Sequence, residues 1–317
     1  MNPPPFMSRH LSDAPPKQPF PFTHPSNEDD GRRPPQLNAG ELELLREATK
    51  LANGSTPNNS YGMAFKKSSA VSGADLKLPA NMVKLADKLQ VMSNRKPNYK
   101  GEMTIYDLLN ATTSPEENTA LYVSTLPGDV TMKEIYAVIS HGQVHSSSLL
   151  PPSRPEHQFS VMRLVFMTRI AAEKFLADIN SQQGIMIRDC RLTATWNRER
   201  VGPLGLERYQ GMTRCLRIIG PKGDFNKGTL IGYLRKYIDF PLTYESEAVL
   251  NNYAATEKKE MREIVLHFGS IRSQAEAAII LLRETIRKYA TRPEEFMVTF
   301  VADPCDRKGN GTAGSQM

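Results

Sequence analysis

Residues 119–139 read TALYVSTLPGDVTMKEIYAVI, and this stretch decides how the rest of the chain is read. Its first part alternates apolar and polar positions and is rich in β-branched residues, the pattern of a strand covered on one face. Pro127-Gly128 ends that strand. Thr131 then opens a helix through the capping box Thr131-x-x-Glu134, with Val130 and Ile135 at the staple positions. Ile135, Val138 and Ile139 form its buried stripe.

Working outward, GQVHSSSLL reads as a second strand, PPSRPEHQ as a loop and FSVMRLVFM as a third strand. Thr168 caps a second helix in which Ala172, Phe175, Leu176 and Ile179 follow the i, i+3, i+4, i+7 rule. IMIRDCRLTATW closes the block with a further strand. The order is β-α-β-β-α-β, the split βαβ arrangement of a ferredoxin-like α+β domain over 118–200. A second block repeats it over 214–305. There CLRIIG, PLTYESEAV, REIVLHF and EFMVTFVA are the strands. Leu230, Ile231, Leu234 and Ile238 mark one helix. Ser273-x-x-Glu276 caps another, which carries Ala275, Ala278, Ile279, Leu282 and Ile286. The segment 201–213 between the blocks is a Gly/Pro-containing linker.

Upstream, residues 1–117 read as a largely disordered, Pro-rich and linker region with short helices; ten of the 23 prolines fall in the first 35 residues. Such a composition buries too little apolar surface to offset the entropy of ordering. GELELLREATKLAN places Leu42, Leu45, Thr49 and Ala52 on one helical face. ANMVKLADKLQVM places Met82, Leu85, Ala86 and Leu89 on another. Helices this short are marginal alone. Residues 306–317 read as a disordered tail.

The chain has 317 residues and a net charge of +6, which permits nucleic acid without demanding it. No apolar run reaches the length of a membrane span, and the N-terminus has no secretory hydrophobic region. Cys190, Cys215 and Cys305 lie far apart, with no C-x-x-C, which argues for reduced thiols inside the cell, in nucleus or cytoplasm, and against a zinc site. Six scattered histidines and no nucleophile–base motif give no catalytic or metal site, no cofactor and no enzyme reading. Gly220-Pro221-Lys222-Gly223 matches the GXXG loop of KH domains, but it follows a strand and not a helix. It also lacks the ending of a P-loop.

The first block resembles the RNA recognition motif (RRM), in which a four-stranded sheet stacks bases on outward aromatics. Its strand-one signature here is Leu121-Tyr122-Val123-Ser124-Thr125-Leu126, with Tyr122 at the stacking position and Thr125 in place of the usual Asn. The strand-three signature spans Phe159 to Phe166, with Val161 and Arg163 at the two outward aromatic positions. Each lost stacker forfeits about 1–3 kcal/mol, of which Arg163 recovers part by stacking or phosphate pairing. The resemblance therefore implies single-stranded RNA binding of weak to moderate strength through Tyr122, Val161, Arg163, Arg191, Thr193, Thr195, Arg198 and Arg200. Phe159 reads either as a stacker or as an edge aromatic, and Trp196 as packing.

The second block resembles a degenerate RRM, with Arg217 at the aromatic position and Glu263, Val265 and His267 outward on its third strand. An alternative is an interaction scaffold with no RNA role, meeting a protein partner through the second domain or the N-terminal helices. From about 119 to 305 the chain also resembles a group of filamentous-fungal RRM-domain proteins, in ALYVSTLPGDVT, LVFMTRIAAEKFL, ATWNR, HFGSIRSQAEAA and ADPC.

Overall fold

Thr131 and Glu134 form the reciprocal cap expected of them: the Glu134 amide donates to Thr131 Oγ1 at 3.3 Å, and the Thr131 amide to Glu134 Oε2 at 2.9 Å. That cap fixes the first crossover of the domain. The structure, a computed structural model, describes residues 36–54, 78–89, 91, 105–152, 158–203, 210–223, 225–250 and 260–306. The Pro-rich N-terminus and the C-terminal tail expected to be disordered lie outside the described residues.

The first domain runs β1 (Ala120–Pro127), α4 (Met132–Ala137), β2 (Val144–Leu150), β3 (Phe159–Phe166), α5 (Arg169–Asn180) and β6 (Thr193–Trp196). A short hairpin, β4 (Met186–Ile187) with β5 (Cys190–Arg191), precedes the last strand. The sheet is antiparallel, in the order β2-β3-β1-β6. Leu121, Val123, Met162, Leu164 and Phe166 point to one face and meet Ile135, Phe175 and Ile179 of the two helices in a buried core. Alternation along each strand leaves the opposite face without helices.

The second domain repeats this with β7 (Cys215–Pro221), α6 (Lys227–Leu234), β8 (Leu242–Leu250), β9 (Met261–Phe268), α7 (Ala277–Tyr289) and β10 (Met297–Phe300). Its strand order is β10-β7-β9-β8. The helix after β9 starts earlier than the Ser273 box implies. A π-turn over Ile271–Glu276 precedes α7, Ser270 holds the cap position, and Gln274 Oε1 accepts the Gly269 and Ser270 amides at 2.9 and 3.1 Å.

In the region read as disordered with short helices, α1 (Ala39–Gly54), α2 (Ala80–Lys88) and α3 (Ile105–Ala111) share a third buried cluster built from Ala48, Met82, Leu85, Ala86, Ile105 and Leu108. Packing supplies what such helices lack alone. The buried face of α1 is Leu44, Leu45 and Ala48, whereas Leu42 is 46% exposed. The sequence pattern places that stripe about a fifth of a turn away, because it counts Leu42 and passes over the small Ala48.

The two sheet domains are joined by a buried polar hub. Arg214 is 1% exposed and its Nη2 donates to Asp303 Oδ1 at 2.7 Å, with Nε on Oδ2 at 2.9 Å and Nη1 on Thr243 Oγ1 and the Phe268 carbonyl. Its guanidinium lies 3.9 Å from the ring centre of Tyr136 on α4. Asp303 Oδ2 also accepts the Val144 amide, and Cys305 enters the first domain's core. Edge strand β2 is closed by the second domain, since the Ser147 amide donates to the Gly269 carbonyl at 2.9 Å and Ser146 bridges Ser270.

Candidate nucleic-acid interface

Tyr122 stands at the middle of the first sheet's outer face. It pairs with Arg163 on β3 and Thr195 on β6; Ser124 pairs with Thr193, and Val161 with Leu150 on β2. Directly paired residues share a face, so Tyr122, Val161, Arg163, Thr193 and Thr195 are brought together. Tyr122 is 42% exposed, Thr195 is exposed, and Val161 and Thr193 are half-buried. None of the four strands carries an Asp or Glu.

One end of this face is covered. The chain after β6 turns back over it and is pinned by Asn118, whose Oδ1 accepts the Ala120 and Val201 amides at 3.0 and 3.1 Å and whose Nδ2 donates to the Asn197 carbonyl. Val201 thereby seals Ala120 and Val165 into a small outer cluster. Arg163 is next in line. Burial lowers its pKa, against the opposing influence of Glu199 and of Asp107 on α3. Arg272 of the second domain reaches the same corner, where its guanidinium stacks on Tyr106 of α3 at 3.8 Å. His145, in the β2 bulge, is held neutral there: burial first, then Arg272 and Arg163, push its pKa down to about 3. Arg163 is therefore a covered cation and not the solvated sheet residue that alternation alone describes.

Other positions depart from the sequence pattern. Arg191 belongs to the β4–β5 hairpin and not to the last strand. Its Nη2 donates to the Ser181 carbonyl at 2.6 Å, turning the side chain towards the end of α5 and away from Tyr122. Arg198 is exposed just past β6, while Arg200 reaches the Thr113 carbonyl at 3.4 Å. Trp196 packs against the core beneath Arg169, whose guanidinium lies 3.5 Å from its ring centre.

Thr125, at the signature's Asn position, has φ +58°, where the β1–β3 ladder jumps from Val123↔Met162 to Leu126↔Ser160. Asn tolerates this left-handed conformation and a β-branched residue does not. Thr125 is held there by its hydroxyl, which donates to the Arg191 carbonyl at 2.7 Å.

The second sheet presents a different face. Arg217 is ion-paired with Glu263 across β7 and β9. His267, expected outward, is only 9% exposed. Burial and then Arg214 lower its pKa to about 4, partly offset by Asp303. Cys215, paired with His267, is fully buried. Tyr244 on β8 adds an exposed aromatic, its ring 4.8 Å from that of His267.

Each domain thus has an antiparallel sheet in the β2-β3-β1-β6 type of order, two helices on one side and the opposite side of the sheet carrying the signature positions. Both domains have the ferredoxin-like β-α-β-β-α-β fold. No family model matches the chain, and no curated protein does. Among solved structures, a complex of Sex-lethal with RNA is 18% identical, covering 58% of this chain and 99% of that one at a TM-score of 0.22. The three N-terminal RNA-binding domains of the yeast splicing factor Prp24 are 9% identical, covering 58% and 65% at 0.24. The C. elegans NONO-1 homodimer is 16% identical, covering 63% and 70%, also at 0.24. The fold assignment rests on strand order and connectivity, not on these superpositions.

No group of three or more His, Cys, Asp or Glu among the described residues is placed to hold a metal ion, and no described helix is long and apolar enough to cross a membrane. The sequence reading missed the Val201 cover and the approach of Asp107 on α3 to Arg163. The apolar spacing of Ile105, Leu108 and Leu109 in IYDLLNA was a legible signal for the helix, although nothing in it indicates which surface the helix meets.

Proposed function

We propose that the first RRM binds single-stranded RNA with weak to moderate affinity, inside the cell, through the open half of its outer sheet face. The observation that carries this is Tyr122, a solvent-open aromatic at the strand-one stacking position on a sheet without a carboxylate. A base stacked on such a ring contributes about 1–3 kcal/mol. Thr193 and Thr195 offer hydroxyls beside it, and Arg198 offers a cation to the backbone. Arg163 is half-buried and faced by the charges of Glu199 and Asp107, so it contributes little and the affinity is modest. Three free cysteines, two of them buried, suit a reducing compartment, nuclear or cytoplasmic.

The test is a fluorescence titration of the full chain with a random single-stranded RNA pool at low and physiological salt. Saturation in the micromolar range that weakens about 5- to 150-fold in Tyr122→Ala is the expected result. Binding that vanishes with salt and ignores Tyr122 would reduce the interaction to diffuse electrostatics. A scaffold role is favoured by one observation, the internal use of both sheet faces: Val201 on the first, and the Arg214–Asp303 hub beside the second.

A further inference from the structure

We infer that RNA crosses the first RRM on a displaced track, with bases stacked on Tyr122 and on Phe159. This rests on the RNA reading above and adds a second platform to it. The strand-three positions that would carry the aromatics hold Val161 and Arg163, and the Arg163 end is covered. Exposure rises in the opposite direction. Along β3 the outward residues run from Val165, sealed under Val201, through Arg163 and half-buried Val161 to Phe159, which is 46% exposed. Beside them Leu150, paired with Val161, is 54% exposed. The open aromatic and apolar surface of this face therefore lies between Tyr122 and the loop after β2.

Strand geometry sets the spacing. Tyr122 is level with Arg163, and Phe159 lies four residues further along β3, roughly 13 Å at about 3.3 Å per residue. A nucleic-acid strand with stacked bases advances about 3.4 Å per nucleotide. Roughly 13 Å is about four such steps, so two bases stacked on these rings have about three nucleotides between them over Val161 and Leu150. Those two side chains have no polar atom with which to read a base edge, so the middle of the track is sequence-tolerant. The ligand class is a single strand of about five or more nucleotides with little base preference.

The experiment uses the full chain, with fluorescein-labelled random RNA octamers and dinucleotides as probes in anisotropy titrations. Phe159→Ala and Phe159→Leu are each expected to weaken octamer binding about 5- to 150-fold, the value of one stacked base, while Phe159→Tyr retains it. Leucine keeps the apolar surface and loses the stack, so it separates stacking from burial. Dinucleotides, too short to reach both rings, are expected to show no loss in Phe159→Ala beyond their already weak binding. Sensitivity to Tyr122→Ala with indifference to Phe159→Ala would overturn the displaced track and leave the RNA reading standing. Indifference to both would overturn both. Full binding by Phe159→Leu would overturn the stacking role. Phe159 is largely solvent-facing, so matching melting curves are expected and serve as the folding control.

Discussion

The two ferredoxin-like domains have the same strand order and opposite outer faces. The strands of the first sheet carry no carboxylate and keep Tyr122 open. The second carries Glu263 on its outer face, ion-paired with Arg217, while Glu245 and Glu247 pair with the core residues Leu266 and Ile264 on the helix side. Its Cys215–His267 corner is closed beside the Arg214 hub. One topology thus supports an aromatic platform in one domain and an internal joint in the other. What separates them is a handful of side chains and the path of the chain after the last strand: residues 197–203 cover only one end of the first face, while 301–306 run into the neighbouring domain.

The largest effect is expected at the joint. Arg214→Ala leaves Asp303 buried without its cation, and breaking a buried pair costs about 3–5 kcal/mol. A drop of about 10 °C in melting midpoint is the expected result. Burial now pushes the Cys305 thiol up to about 12 and raises that of Cys215 as well. Both are therefore expected to resist a thiol reagent in the wild type and to react in the variant. An unchanged melting curve would mean that the second face is closed by something other than this hub.

Acid is expected to loosen both faces by a smaller and graded amount. His145 and His267 have folded pKa values of about 3 and about 4, below the ordinary 6.5. Because the folded state resists protonation, their contribution is complete above pH 6.5 and is lost as pH falls towards 4. Each histidine costs up to about 1.4 kcal/mol per pH unit over that window. Urea titrations from pH 7 to pH 4.5 check this, with His145→Gln and His267→Gln each flattening the slope. A slope untouched by His145→Gln would show that the corner beneath Arg272 is open to solvent.

Thr125 tests how literally the strand-one signature constrains this chain. Relief of a left-handed β-branched residue is worth about 1 kcal/mol, set against the hydroxyl bond to Arg191. Asn can keep a donor there, so Thr125→Asn is expected to raise the urea midpoint. A decrease would mean that the hydroxyl contact outweighs the strain.

Much of this was legible in the sequence because it is local. The Thr131–Glu134 cap, the alternation through Leu121, Tyr122 and Val123, and the two β-α-β-β-α-β orders depend on neighbours in the chain. The surroundings of Arg163 were not legible. Alternation assigns its face correctly, but the charges that face it, Glu199 and Asp107, arrive through tertiary packing. Arg191 failed for a related reason: continuous alternation across IMIRDCRLTATW ignores the hairpin that breaks the strand and redirects the side chain. The helices α1 to α3 were visible as periodicity and their shared core was not, since each buries its face only against the others.

The smallest expected effect bears most directly on the difference between the two faces. Glu263→Gln removes a carboxylate from the centre of the second sheet and releases Arg217, making that face more like the first. If charge alone kept RNA away, affinity for the random pool would rise tenfold or more, and the second domain would be a latent site. A change below about threefold is expected, because a partly exposed ion pair is worth only about 0–1 kcal/mol and removing it creates no stacking surface. Neither β7 nor β9 places an aromatic outward, Tyr244 stands on edge strand β8, and the Cys215–His267 corner stays closed. The absence of a platform, more than the presence of a negative charge, is what makes the second face different.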